Sequence, residues 1–159
     1  MSEHMRADQV ILQLLGKIAA LCDTGYLFAL HIRYNRPSLM YRTYPQAWID
    51  RYSERGFMMS DPVVHWGLAH TGVVMWSELT DKDPEGVVAA AAEFGLVNGW
   101  TYTLGANTAR TIASMTKSGT DFTESQRAEL MALVDQLHAL TADFDNLPLA
   151  TQESLRALA

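Results

Sequence analysis

Tyr26-Leu27-Phe28-Ala29-Leu30-His31-Ile32, then Asn35-Arg36-Pro37, then Ser38-Leu39-Met40-Tyr41-Arg42-Thr43: the fold turns on this stretch. It reads as strand, turn and strand, because β-branched and aromatic residues flank a polar, proline-containing break. A second pair follows at 99–104 and 110–117, joined by Gly105-Ala106-Asn107. Between and around these hairpins the apolar period changes to that of a helix. Val10, Leu14, Ile18 and Leu21, with Ile11 and Leu15, predict a helix over 6–22 that ends at Asp23-Thr24-Gly25. Pro45, at a first helical position, opens another that stops at Gly56. Asp61 as N-cap and Pro62 as first residue start a short helix over 63–70. A polar loop after Trp76 leads to a helix over 84–94. Thr123 with Gln126 forms a capping box, and Leu130, Leu133, Leu137, Leu140 and Phe144 carry a long amphipathic helix to the break at Asn146-Leu147-Pro148. Helices interleaved with two hairpins predict an α+β domain, not a parallel doubly wound sheet.

The composition agrees with one such domain. Of 159 residues, 48% are apolar and 19% charged, enough for a full core and too apolar for disorder. No apolar run is long enough for a membrane span. The first eight residues lack the basic-then-apolar order of a signal peptide, so the cytoplasm is the expected compartment. The net charge of −6 argues against a nucleic-acid surface, and from Asp121 onward seven acids face only Arg127 and Arg156. Cys22 stands alone, which excludes an internal disulfide and a thiolate metal cluster.

The residues that invite a chemical reading lie between Tyr44 and Trp76. Tyr44, Trp48 and Tyr52 are spaced by four, and each carries a polar tip on an apolar ring. Such a stripe either belongs to a core or lines a cavity whose occupant offers carbonyl oxygens. Asp61 either caps a helix only or also accepts an N–H from that occupant. Trp76 could floor the same space. Spacing alone leaves both readings open.

In fixed register the same residues resemble the autoinducer-binding domain of LuxR-type quorum-sensing regulators. That family's signature is a Trp, a Tyr four later, an Asp-Pro pair nine further on and a Trp fifteen after the Asp. Trp48, Tyr52, Asp61-Pro62 and Trp76 stand at those intervals, preceded by Tyr44-Pro45. Phe94-Gly95-Leu96-Val97-Asn98-Gly99 resembles the segment that ends in the family's retained glycine. The resemblance implies an α-β-α sandwich: a central antiparallel sheet, helices on both faces, and a pocket between sheet and helices. It implies an N-acyl homoserine lactone, or a similar small signal, as ligand, and no cofactor or metal. Carried over by position, Trp48 would donate to the lactone carbonyl and Asp61 would accept the amide N–H. Tyr44, with Ser114, would bond the amide carbonyl. Tyr52 and Trp76 would wall the ring, and Val63 would sit beside the Asp61 turn.

Two departures qualify the match. Thr103 stands where members often have proline, and a slip of one residue along 110–116 would turn Ser114 to the opposite face. Strand parity in the first hairpin points Leu27, Ala29 and His31 at the pocket, with a satisfied or exposed His31 the plainer expectation. By this reading 1–146 is the autoinducer-binding domain, and 147–159 is a C-terminal extension or the start of a helix-turn-helix domain. DNA contact would belong to that module, and the ligand-binding domain would form a homodimer. The alternative is a truncated, regulator-like interaction module that heterodimerises with a full-length regulator and inhibits it. An enzyme is not expected. Asp61 and His65 lack a nucleophile motif, His65 and His70 are five apart and cannot share a metal from one helical face, and Gly95, Gly99 and Gly105 form no phosphate loop.

Overall fold

Five antiparallel strands in the order β2-β1-β5-β4-β3 separate two groups of helices in the computed structural model, which describes residues 6–34 and 36–158. The chain runs α1 (Ala7–Leu21), β1 (Gly25–Arg33), β2 (Arg36–Arg42), α2 (Gln46–Glu54), α3 (Pro62–Ala69), β3 (Gly72–Met75), α4 (Val87–Glu93), β4 (Trp100–Leu104), β5 (Arg110–Thr116), α5 (Glu124–Leu140) and α6 (Leu149–Arg156). Short 3₁₀ turns follow α2 (Phe57–Met59), β3 (Trp76–Lys82) and α5 (Phe144–Asn146). This is the expected α+β sandwich.

The two hairpins form the heart of the sheet because β1 pairs with β5 as well as with β2. Alternation then sorts their side chains. Phe28, Tyr41 and Ala113 share one face and are fully buried under α1, α5 and α6. Ile11 and Ile18 of α1, Leu130 and Leu137 of α5, and Leu155 of α6 close that layer with almost no exposure. Burying each such side chain contributes roughly 1.5–3 kcal/mol. The capping box forms as expected: Gln126 N–H donates to Thr123 Oγ1 at 3.0 Å, and Thr123 N–H donates to Gln126 Oε1 at 2.9 Å. Segment 149–156 folds back on the domain, where the Tyr41 hydroxyl donates to the Leu155 carbonyl at 2.6 Å.

Several expectations need correction. β3 was not expected: four residues are too few to show an alternating pattern, and only pairing with β4 defines the strand. Arg36 and Pro37 belong to β2 and not to a turn, which an edge strand tolerates in a residue without an N–H. The remaining turn residue, Asn35, lies outside the described residues. Pro45 is the N-cap of α2, one position earlier than expected. The helix expected from Pro84 starts at Val87, where the Asp83 carboxylate accepts the Val87 and Val88 N–H groups at 2.8 and 2.9 Å. The α5 stripe ends at Leu140, and Phe144 belongs to the 3₁₀ turn beyond it.

α3 is tied to the sheet at its far end. Arg110, buried at the start of β5, donates to the carbonyl of Gly67 at 3.4 Å and of His70 at 2.5 Å, and to Asn107 Oδ1 at 2.7 Å. A cation is favoured at these C-terminal carbonyls. Gly67 permits the approach, since a Cβ there would lie 2.6 Å from Ile112 Cδ1.

Candidate functional site

The sheet face opposite α1 and α5 carries a cavity of about 530 Å³, within the range of small-molecule sites. Its roof begins at α2. Trp48 and Tyr52, one turn apart, meet edge to face at 5.7 Å, and Tyr44 stands just before the helix. Gly56 ends this segment in the left-handed conformation (φ 60°), and the chain doubles back through Phe57, whose ring lies 5.9 Å from Trp48. That reversal brings Asp61 beneath Tyr52, whose hydroxyl donates to Asp61 Oδ2 at 2.8 Å. The other carboxylate oxygen accepts the Val63 N–H at 2.9 Å as the N-cap of α3. Asp61 is therefore both cap and cavity wall. With the Val64 N–H as a third donor, about one of the roughly four acceptor positions of the carboxylate stays free.

The floor is the sheet. Trp76, after β3, donates its indole N–H to Thr101 Oγ1 at 3.0 Å, and Thr101 Oγ1 meets Ser114 Oγ at 2.8 Å. Since Thr101 accepts from Trp76, its own proton can go to Ser114, which leaves the Ser114 proton for another acceptor. Gly99 makes room for the indole, as a Cβ there would fall 2.1 Å from Trp76 Cδ2. Leu27, Ala29, Ile32 and Ile112 supply apolar floor, and Val87, Val88 and Ala91 of α4 supply apolar wall.

All seven residues singled out from the sequence (Tyr44, Trp48, Tyr52, Asp61, Val63, Trp76 and Ser114) line this one cavity. His31 does not. A register shift between Ala29 and Ile32, with His31 at φ 53°, sends Ile32 into the cavity and His31 to the packed face. There His31 stacks on His138 at 4.3 Å and its Nε2 lies 2.9 Å from the His138 carbonyl and 3.1 Å from Thr141 Oγ1. It is the satisfied histidine of the plainer expectation. Sequence reasoning missed Thr101, whose hydroxyl joins Trp76 to Ser114, and Arg42, which faces the cavity from β2. Cross-strand register would have found both.

Burial sets the electrostatics. Desolvation raises the Asp61 pKa, opposed by the hydrogen bonds from Tyr52 and from the Val63 and Val64 N–H groups. Burial, then the neighbouring Asp61 charge, pushes both the Tyr44 and Tyr52 phenols far up, so both remain neutral donors. Tyr44 Oη is buried without a protein partner, an arrangement that costs about 1–3 kcal/mol. The site thus offers donors, one acceptor and an apolar slot, which suits holding a molecule with carbonyls and an N–H. Cys22 lies elsewhere, buried, with its thiol pushed up to about 12. Among the described residues no group of three His, Cys, Asp or Glu side chains could hold a metal ion, and no helix is long and apolar enough to cross a membrane.

The family model for the autoinducer binding domain matches residues 9–144. The HTH-type quorum sensing-dependent transcriptional regulator RpaR of Rhodopseudomonas palustris is 28% identical over 145 residues, covering 86% of this chain and 60% of the regulator. Among solved structures, SdiA in complex with octanoyl-rac-glycerol superposes with a TM-score of 0.67 at 21% identity, over 90% of this chain and 62% of that one. CepR2 of Burkholderia cenocepacia, described as an N-acylhomoserine lactone dependent transcription factor, gives 0.62 at 18% identity, over 85% and 93%. The chain therefore spans about three fifths of the length of that curated regulator.

Proposed function

Because the chain belongs to the autoinducer-binding domains of LuxR-type quorum-sensing regulators, we propose that it is a receptor domain that buries an N-acyl homoserine lactone between sheet and helices. One observation carries this reading: a buried, unpartnered phenol (Tyr44) and a buried carboxylate with about one acceptor position to spare (Asp61) line the same apolar cavity. The lactone carbonyl takes the Trp48 indole N–H and the amide N–H goes to Asp61. The amide carbonyl takes the Tyr44 hydroxyl and the remaining Ser114 proton. Tyr52 holds Asp61 in place and, with Trp76 and Val63, walls the ring. The tail runs over Leu27, Ala29 and Ile112. Each net hydrogen bond contributes about 0.5–1.5 kcal/mol and each buried CH₂ about 0.8 kcal/mol. The tail accordingly sets affinity, while the polar head sets orientation.

In this reading residues 1–146 form the ligand-binding unit and 147–159 a C-terminal extension or the beginning of a DNA-binding module. The domain works in the cytoplasm as a homodimer, with DNA contact left to a helix-turn-helix. It catalyses no reaction: members of the family bind signals for transcriptional regulators.

Thermal melting against lactones of different tail length tests the proposal. Ligand at a hundredfold excess over Kd adds about 2.7 kcal/mol, which for a chain of this size raises Tm by roughly 5–10 °C. Asp61→Asn keeps shape and capping ability and should abolish most of that rise, and Trp48→Phe should weaken it. A panel without any shift, together with heterodimerisation with a full-length regulator, would favour the inhibitory interaction module. Octanoylglycerol belongs in the panel, since a neighbour of this fold is described in complex with it. A rise with the glyceride alone would replace the lactone with another acylated signal.

A further inference from the structure

The cavity lining holds two charged side chains, Asp61 on one wall and Arg42 on the edge strand β2. Asp61 has protein donors and, in the lactone reading, an amide N–H. Arg42 has no carboxylate within salt-bridge distance among the described residues, although Arg6, Arg33 and Arg127 each find one at the surface. The sheet register fixes where Arg42 stands. Arg42 pairs with Leu27, Leu27 with Ser114 and Ser114 with Thr101, so these four side chains form one row on the cavity face. Two strand spacings separate Arg42 from Ser114, about 10 Å. An extended chain anchored by its carbonyl at Ser114 covers that distance in about eight bonds, at ~1.2 Å per bond. Its apolar middle would cross Leu27. Its end would emerge beside Arg42, which is itself exposed, with Met40 (41% exposed) two residues away on the same strand.

We infer that Arg42 is a second recognition point, and that the signal carries an oxygen acceptor, a carboxylate in the strongest case, at the far end of its tail. The inference rests on the lactone reading and names the ligand class within it. A guanidinium presents several donors in a planar fork and pairs with carboxylates in two-point contact. The exposure of Arg42 also leaves one side of that contact in water, so the tail end need not lose all its hydration. The plainer account has the Arg42 stem covering Leu27 with its head in solvent, reading nothing.

Isothermal titration of the full chain with two homoserine lactones of equal tail length, one ending in methyl and one in carboxylate, separates the accounts. The wild-type chain should bind the carboxylate form at least tenfold more tightly at low salt, with the margin shrinking as salt rises. Arg42→Met should bring the ratio to about one or below, and Arg42→Lys should restore part of it. Circular dichroism confirms that the variants are folded. Equal binding of both ligands by the wild type, or a preference that survives Arg42→Met, would overturn the role of Arg42 and leave the lactone reading standing. Binding of neither ligand would overturn both.

Discussion

The two faces of the sheet are built from the same strands and do opposite things. On one, Phe28, Tyr41 and Ala113 meet α1, α5 and α6 with essentially no exposure. On the other, Leu27, Ala29 and Ile112 look into a cavity of about 530 Å³. Most polar groups follow the same division, with Trp100 Nε1, buried on the packed side without a partner, as the exception. On the packed face His31, His138, Thr111 and Thr141 bond to one another or to backbone. On the cavity face Tyr44 has no protein partner, and Asp61 and Ser114 keep capacity to spare. Close packing stabilises one side. Incomplete packing, which weakens a protein by itself, makes the other side receptive.

The sharpest way to break this contrast is to truncate on the packed side. Phe28→Ala should cost about 3–5 kcal/mol of unfolding free energy in urea titration, with or without lactone. A loss below about 1 kcal/mol would mean that face is not the stabilising one.

A paired enlargement comes next. Ala113 is fully buried and Ala29 faces the cavity. Ala113→Leu should overpack and cost about 1–3 kcal/mol. Ala29→Leu should cost less than about 1 kcal/mol in the free protein, while competing with ligand for the same space. Equal costs at the two sites would erase the distinction.

The smallest expected effect concerns acid. Burial lowers the pKa of both His31 and His138, opposed on the first by the His138 carbonyl and then Asp145, and reinforced on the second by the neighbouring His31 against a smaller pull from Asp135. As pH falls below the ordinary histidine value of ~6.5, the unfolded chain takes up these protons before the folded one does, and stability drops. The raised Asp61 pKa acts with the opposite sign at lower pH. Urea unfolding should therefore show lower stability at about pH 5.5 than at about pH 7.5. His138→Asn should flatten that difference. A pH-independent wild type would refute the account.

What the sequence disclosed was local. The α1 stripe, the Thr123 capping box and the Asp61-Pro62 helix start are written in neighbouring residues, and the structure bears each out. What it withheld depends on pairing between distant segments. β3 is a strand only because β4 lies beside it, and the bulge that turns His31 away arises between β1 and β5. The α5 stripe overran its helix because Phe144, four residues after Leu140, is apolar, in phase and buried although it lies in the 3₁₀ turn beyond the helix. Spacing left Trp48, Tyr52, Asp61 and Trp76 open between core and cavity, and it was the resemblance to the family signature that assigned them to one pocket, whereas Arg42 and Thr101 gain meaning only from register.

The fastening of α3 has a further consequence. Its first turn is held by Asp61 and its last carbonyls by Arg110, so this eight-residue rod cannot fray from either end to accommodate a differently shaped guest. Adjustment is left to the segment around Gly56, where Met58 and Met59 are exposed. The pocket thus joins a stiff jamb to a pliable sill, and the range of guests it admits is decided at the sill.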